Sequence, residues 1–344
     1  MNLSINNISI KLPESSSPMK TFVDLFCGIG GFREALEPFG LRCVFSSEKD
    51  SKTREAYAKQ FGDMPQGDIR DINHDDIPPH DVLCAGFPCQ TFSHSGNQQG
   101  LVGDGLLIYD VIGIARKHTP AVILLENVPN ILSIHNGEPI KDIIDDFNRI
   151  GYRVHYDILS SSDYGIPQHR KRVYFVLFHS SNRMTYYTPF APLTRLYLRD
   201  ILEDKVDESL YVSREDISID RTVPYPALKP LLIGTLGKGR QGARIYHPNG
   251  HSITLNARGG GVGGRTGLYL IKDRVRPLSI RECKRLMGFS DEHIVSDGSK
   301  GASQLGNAVI PEMVSNVFKR IRNPTGEQIV RNPNGRLWIY NWHE

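Results

Sequence analysis

Thr21-Phe22-Val23-Asp24-Leu25-Phe26-Cys27-Gly28-Ile29-Gly30-Gly31 carries an apolar run straight into a glycine-rich turn that opens a helix. A short run that is apolar throughout reads as a strand buried on both faces. The same pattern recurs in Arg42-Cys43-Val44-Phe45-Ser46, Val82-Leu83-Cys84-Ala85, Ala121-Val122-Ile123-Leu124-Leu125 and Arg172-Val173-Tyr174-Phe175-Val176-Leu177. Helical segments are predicted between these runs at residues 32–39, 51–61, 109–117 and 140–150. Strand and helix in turn predict an α/β fold with a doubly wound, mostly parallel sheet, whose ligands sit beyond the carboxyl ends of the strands.

The composition bounds the rest. With 344 residues, 39% hydrophobic and 23% charged, the chain is not mainly disordered, and about two domains fit its length. Five cysteines without a Cys-x-x-Cys spacing argue against a disulfide scaffold and a thiolate zinc site, so a reducing cytoplasm and no metal are expected. Residues 1–18 read as a flexible tail without the apolar core of a secretory signal, and no apolar run approaches the ~20 residues of a membrane span.

The net charge of +3 is too balanced to announce a nucleic-acid binder, but its distribution is uneven. Residues 221–285 hold 13 Lys and Arg against two acids, Asp273 and Glu282. Residues 234–267 contain 11 glycines interleaved with Arg240, Arg244, Arg258 and Arg265. Such a density excludes a compact helical core and predicts extended, loop-rich structure. A solvated basic face is one reading; a surface for phosphates and base edges is the other, and spaced arginines on glycine loops favour it.

Four motifs fall in order along the predicted sheet, the first three after strands and the fourth before the last strand. In the first, glycines let backbone approach a ligand closely, and Glu48, 20 residues after Gly28, can hold ribose hydroxyls. Arg33 stands where a dinucleotide fingerprint needs Gly or Ala, which weakens a nicotinamide-oxidoreductase reading; S-adenosylmethionine suits the pattern better, with plain turn glycines as the structural alternative. Second, Gly86-Phe87-Pro88-Cys89-Gln90 puts Cys89 on a loop after a strand, as a nucleophile if its thiolate is stabilised and otherwise as an inert thiol. Third, Glu126 in Glu126-Asn127-Val128 either caps a helix or delivers a proton to a substrate ring nitrogen. Fourth, in Gln168-His169-Arg170-Lys171-Arg172 an extended backbone sends Gln168, Arg170 and Arg172 to one side, toward an anionic or carbonyl-bearing ligand.

This ordered set resembles the DNA (cytosine-5)-methyltransferase family. The likeness continues through Arg276-Pro277-Leu278-Ser279-Ile280-Arg281-Glu282 and Gln304-Leu305-Gly306-Asn307-Ala308-Val309, and so spans residues 20 to about 320. The compact spacing is similar to the small bacterial enzymes of restriction-modification systems. Residues 237–246, Gly237-Lys238-Gly239-Arg240-Gln241-Gly242-Ala243-Arg244-Ile245-Tyr246, resemble the recognition loop of the HhaI-type, GCGC-methylating enzymes. The resemblance implies that Cys89 adds to C6 of a flipped cytosine, that Glu126 holds or protonates N3, and that Arg170 and Arg172 orient the nucleophile, the base or its phosphate. It assigns Phe26, Gly28, Ile29, Gly31, Glu48, Asp68, Ile69, Pro88 and Asn307 to S-adenosylmethionine. It assigns Ser93, Ser95, Gln168, Arg240, Gln241, Arg244 and Arg258 to DNA, with Gln241 filling the gap left by the flipped base.

Two departures stand out. Lys49 replaces an aromatic that stacks on adenine in close relatives, and Gly100-Leu101-Val102-Gly103-Asp104-Gly105 lacks the family's Asp-x-Arg-Gly pattern in the loop that closes over the base. The implied organisation is a tail (1–18), a catalytic domain (19–197), a target-recognition domain (198–280), a hinge (281–304) and a segment completing the catalytic domain (305–344). The implied partner is double-stranded DNA with a G·C-rich, GCGC-like target. The enzyme is expected to be a cytoplasmic monomer, away from membranes, with a cognate restriction endonuclease as its functional partner. The rivals are a transfer-RNA cytosine-5 methyltransferase and a DNA-binding homologue without catalysis. The long basic insert speaks against the first, and the complete set of reactive residues against the second.

Overall fold

The computed structural model describes residues 19–88, 103–192, 194–222, 224–259, 261–322, 328–331 and 337–340. Strands β1 (Thr21–Leu25), β2 (Arg42–Ser47), β3 (Val82–Ala85), β4 (Val122–Asn127), β5 (Tyr152–Ser160) and β6 (Lys171–His179) form one sheet in the order β2-β1-β3-β4-β6-β5. The first four are parallel, whereas β6 runs antiparallel to both β4 and β5.

Neighbouring residues of β1 serve opposite faces, as strand pleating requires. Phe22 packs in one apolar layer with Phe32, Leu36, Cys84 and Val176, while Val23 joins Leu83, Val111, Ile123 and Phe147 in the other. Helix α1 (Gly31–Leu36) packs on the first face and α3 (Ile108–His118) and α4 (Glu138–Arg149) on the second, while α2 (Ser51–Phe61) follows β2. Asp50 caps α2 by accepting from the Thr53 N–H at 2.8 Å. The helix expected over 32–39 is shorter, because its last turn tightens to a 3₁₀ turn at Pro38.

A second sheet follows a short strand β7 (Thr185–Tyr186). It comprises β8 (Ile217–Ile219), β9 (Leu231–Leu236), β10 (Arg244–His247), β11 (Leu268–Ile271) and β12 (Arg274–Arg276), around a small core of Leu236, Ile245, Leu268 and Val275. This is the glycine-rich region expected to be extended. Helices α5 (Ile280–Leu286), α6 (Gly298–Asn307) and α7 (Pro311–Phe318) then return to the first sheet.

Within residues 281–304, read from sequence as a hinge, several side chains reach the core. Cys283, Leu286 and Met287 are fully buried in the same apolar layer as Phe22, and burying them binds α5 to the catalytic sheet. Arg276 makes two 2.7 Å bonds to the Glu282 carboxylate, and Glu282 also accepts from the Ser279 N–H at the start of α5. This buried pair fixes the end of the second sheet to the helix that enters the main core. Near the carboxyl end, β13 (Ile321–Arg322) pairs with β7, and β14 (Gln328–Arg331) forms a hairpin with β15 (Leu337–Tyr340). No helix among the described residues is long and apolar enough to cross a membrane.

Gly31 begins α1 against the strand-like segment after α6. A Cβ there would stand 2.6 Å from the Val309 carbonyl oxygen, and backbone at that point has no room to retreat. Gly31→Ala should therefore lower stability by about 1–3 kcal/mol, read as a lower urea midpoint with an unchanged slope.

Candidate active site

The carboxyl ends of β1 to β4 open onto a cleft of about 950 Å³, counted out to solvent. Phe26, Gly28, Glu48, Lys49, Asp68 and Ile69 line it on the β1 and β2 side, Glu126, Arg170 and Arg172 on the β4 and β6 side, and Pro88, Leu107, Gly306 and Asn307 also belong to the lining. The lining is continuous, so one cleft serves both sides.

The glycine turn is built by positive backbone angles, with φ of 55° at Phe26, 55° at Gly28 and 89° at Gly30. The Cys27 N–H donates to the Ser47 carbonyl oxygen at 2.9 Å, which holds the turn against the end of β2. Glu48 completes the link: one carboxylate oxygen accepts from the Gly28 N–H at 3.2 Å and the other from the Asp50 N–H at 2.8 Å. Burial pushes the Glu48 carboxyl up from its ordinary range, and these two backbone donors pull it back. Asp68 is oriented by Arg70, whose Nε donates at 3.0 Å and whose Nη2 also pairs with the carboxylate. That pairing holds Asp68 below the usual carboxylate range.

On the other side Glu126, 8% exposed at the end of β4, pairs with Arg172 Nε at 3.0 Å. Burial raises its pKa, while Arg172 and then Arg170 oppose the rise. The result is a carboxyl group that retains its proton to higher pH than an ordinary Glu, facing the cleft. Asn127, to which the sequence reading gave no role, is fully buried and donates to the Phe87 carbonyl oxygen at 3.2 Å. It thereby ties the Gly86-Phe87-Pro88 segment to β4. Cys89, Ser93, Ser95 and the loop from Gly100 to Val102 lie outside the described residues, but Pro88, directly before Cys89, lines the cleft.

Several expectations change. Gln168, which the resemblance assigns to DNA, is 0% exposed: its side-chain amide donates to the Leu286 carbonyl oxygen at 3.1 Å, and its side-chain oxygen accepts from the Leu255 N–H at 2.9 Å. Alternation alone put it beside the arginines, but residues 167–170 pair with the segment at Ser252. Arg170 lines the cleft yet spends its guanidinium on backbone, donating to the carbonyl oxygens of Leu255, Gly306 and Ala308 at 3.0–3.3 Å. Ile29 and Gly31 fall outside the cleft lining: Ile29 is buried under the turn, and Gly31 is pressed on Val309. Arg33 faces away, bonded to Glu37 and Asp63 at 2.7 Å each, which explains why an arginine is tolerated beside the turn.

Arg240, Arg244 and Arg258 are exposed on the second sheet and its loops; for Gln241 the backbone alone is described, in a short turn before β10. No group of three or more His, Cys, Asp and Glu among the described residues is placed to hold a metal ion. The residues missed from sequence are backbone-lined positions such as Ser47, Gly67 and Gly306, for which no side-chain chemistry gives a signal.

Comparison with known proteins agrees with this geometry. Residues 20–323 match the family model for C-5 cytosine-specific DNA methylases. The chain is 41% identical over 298 residues to the type II methyltransferase M.HhaI of Haemophilus parahaemolyticus, covering 84% of this chain and 90% of that protein. It is 33% identical to the type II methyltransferase M.MspI of Moraxella sp, covering 92% and 73% respectively. Among solved structures, the Entamoeba histolytica methyltransferase EhMeth superposes with a TM-score of 0.69 at 18% identity, covering 88% of this chain and 97% of that one. The S. pombe Dnmt2 methyltransferase gives 0.66 at 20% identity, covering 87% and 97%. At these identities the structural likeness concerns the fold.

Arg170→Lys keeps the charge but offers one ammonium to three carbonyl oxygens set around a planar fork. It should lower stability by about 2–4 kcal/mol, measured as a shifted denaturation midpoint, with a matching loss of activity.

Proposed function

The chain belongs to the C-5 cytosine-specific DNA methylase family, and from that premise we propose how its residues divide the work of a sequence-specific DNA (cytosine-5)-methyltransferase. The observation that carries the reading is the single cleft lined by Glu48 and Asp68 on one side and by Glu126 and Arg172 on the other. Such a cleft brings a nucleoside-bearing methyl donor and a pyrimidine ring together. The residues fit S-adenosylmethionine: a carboxylate at the glycine turn for ribose hydroxyls, Asp68 and Ile69 for adenine, Phe26 and Gly28 beside them, and Asn307 below. When bound, it supplies an electrophilic methyl group.

The chain's own residues prepare the acceptor. Cytosine C5 is a poor nucleophile, so the Cys89 thiolate adds to C6, and the new C–S bond makes C5 enamine-like. Glu126 gives a proton or hydrogen bond to N3 and so stabilises the charge that this addition develops. Arg172 holds Glu126 in place at 3.0 Å. Loss of the C5 proton then expels Cys89 and leaves 5-methylcytosine. The base must leave the duplex for any of this, as in other enzymes that act on bases.

Residues 19–197 with 305–344 form the catalytic lobe and 198–280 the recognition lobe, with duplex DNA between them. The basic, glycine-rich insert supports DNA over transfer RNA as substrate. We take the target to be G·C-rich and related to GCGC. We take the setting to be a bacterial cytoplasm, with the monomeric enzyme protecting host DNA from a companion restriction endonuclease.

Incubation with methyl-labelled S-adenosylmethionine and either DNA or RNA tests this reading. Label should enter DNA from the wild type and not from Cys89→Ser, and Glu126→Gln should slow transfer about 100-fold or more. Label in RNA alone, or full activity of Cys89→Ser, would overturn it. Arg244 is exposed at the start of β10, where a guanidinium can make a bidentate contact to guanine. Arg244→Ala should weaken methylation at the cognate sequence by about 1–3 kcal/mol; an equal loss on every DNA sequence would reduce it to a phosphate contact.

A further inference from the structure

Gln304 is buried in the last turn of α6, three residues before Asn307, which lines the cleft. Its side chain is fully committed. The side-chain oxygen accepts from the Ser296 N–H at 2.8 Å, and the amide nitrogen donates to the Ser296 hydroxyl at 3.0 Å and to the Thr53 hydroxyl at 3.2 Å. The bonds to Ser296 fold the end of α6 back on the segment that precedes it. That approach needs Gly301, where a Cβ would lie 2.0 Å from the Ser296 carbonyl oxygen. The bond to Thr53 reaches a different element, because Thr53 is buried in the first turn of α2. A hydroxyl that accepts from Gln304 keeps its own proton to give, and the Thr53 hydroxyl donates it to Asp50 Oδ1 at 2.7 Å. Asp50 in turn donates its N–H to Glu48 Oε1 at 2.8 Å. Lys300, one turn before Gln304 on α6, reaches the other Asp50 oxygen at 2.7 Å, but this pair is open to solvent and adds little.

We propose that Gln304 is a positioning residue for the cofactor: through the Thr53 hydroxyl it holds the start of α2, and with it the Glu48 carboxylate, in register with Asn307 at the end of α6. The role rests on the reading of the cleft as the S-adenosylmethionine site, since Glu48 and Asn307 both line it. Apolar packing keeps two elements close but has no direction. A hydrogen bond is satisfied only within a narrow range of distance and angle, so a chain of them fixes how one element sits along the other. This chain runs in one direction, from the Gln304 amide to the Thr53 hydroxyl, the Asp50 carboxylate and, through the Asp50 N–H, to Glu48. It does not touch Glu126 or Arg172, which are tied to each other. Cutting it therefore weakens the hold on the cofactor and leaves the pyrimidine side of the cleft as it was.

Calorimetric titration with S-adenosylhomocysteine and steady-state methylation of DNA, both on the full-length protein, test this. Thr53→Val keeps the shape of the side chain and removes the hydroxyl; Thr53→Ser keeps the hydroxyl. Thr53→Val should weaken S-adenosylhomocysteine and raise the KM for S-adenosylmethionine about fivefold, the worth of one net hydrogen bond, with kcat and the KM for DNA unchanged. Thr53→Ser should behave as the wild type. Gln304→Leu should match Thr53→Val, and the double variant should bind no more weakly than either, because both changes cut one chain. Should Gln304→Leu fail to fold, Thr53→Val against Thr53→Ser decides alone. A purely structural role would lower the denaturation midpoint of Thr53→Val without changing its cofactor affinity, or would spread the loss over kcat and both KM values; either result overturns the proposal. A wild type that does not bind S-adenosylhomocysteine sinks the cofactor reading and this role with it, whereas a wild type that binds and a Thr53→Val that binds equally well sink this role alone.

Discussion

The guanidinium of Arg170 is where the molecule's separate stretches of chain meet. It lies just before β6 and donates to carbonyl oxygens at Leu255, between β10 and β11, and at Gly306 and Ala308, at the end of α6. The last carbonyls of a helix have no partner within it, so a buried helix end needs outside donors. A planar fork of five N–H groups supplies several at once. One residue therefore closes the carboxyl end of α6 and anchors the recognition segment. It also places Asn307, the residue between those two carbonyls, at the floor of the cleft. Arg276 does the matching work at the other junction, bonding Glu282 where the second sheet passes into α5. These buried ties join the chain of the second sheet to the core of the first.

Close packing at the same junction sets the roles of small residues. A Cβ on Gly306 would lie 2.4 Å from the Ala257 backbone nitrogen. Only a glycine lets the recognition segment approach that near, and the approach puts the Leu255 carbonyl within reach of Arg170. The arginines exposed farther out on that segment, Arg258 among them, are then carried on backbone whose base is fixed.

Much of this was legible in the amino-acid sequence. The strands that are apolar throughout, β1, β3 and β4, were read from their runs because burial on both faces leaves no polar side to confuse the pattern. Their carboxyl ends carry Gly28, Pro88 and Glu126, and the cleft is there. Strand β5 escaped because it is the sheet edge: Arg153, His155, Tyr156 and Ile158 are exposed, and mixed polarity hides a strand. The antiparallel course of β6 was equally hidden, since direction depends on the connection through β5. The burial of Gln168 was hidden for a different reason. Alternation specifies which side a residue faces but not what lies on that side, and a segment 84 positions later, at Ser252, covers it. The same non-locality concealed the burial of Cys283, Leu286 and Met287 and the role of Asn127.

The glycine turn shows why fold and site cannot be separated here. Phe26 is not a glycine, yet it holds φ of 55°, a left-handed conformation that costs a side-chain-bearing residue on the order of 1–2 kcal/mol. Something must offset that cost, and the offsetting bonds are all around it. The Cys27 N–H reaches the Ser47 carbonyl oxygen, the Gly30 N–H reaches the Cys27 carbonyl oxygen, and Glu48 accepts from Gly28. In return the bend turns the chain away from the strand direction at Phe26 and leaves this residue on the cleft wall instead of in a third layer of core. Glu48 is drawn into the same exchange: its carboxylate stabilises the turn and lines the cleft. A residue that both supports the strained backbone and forms the cleft wall couples the two. Filling the cleft therefore stabilises the turn, and weakening the turn weakens binding by the same free energy.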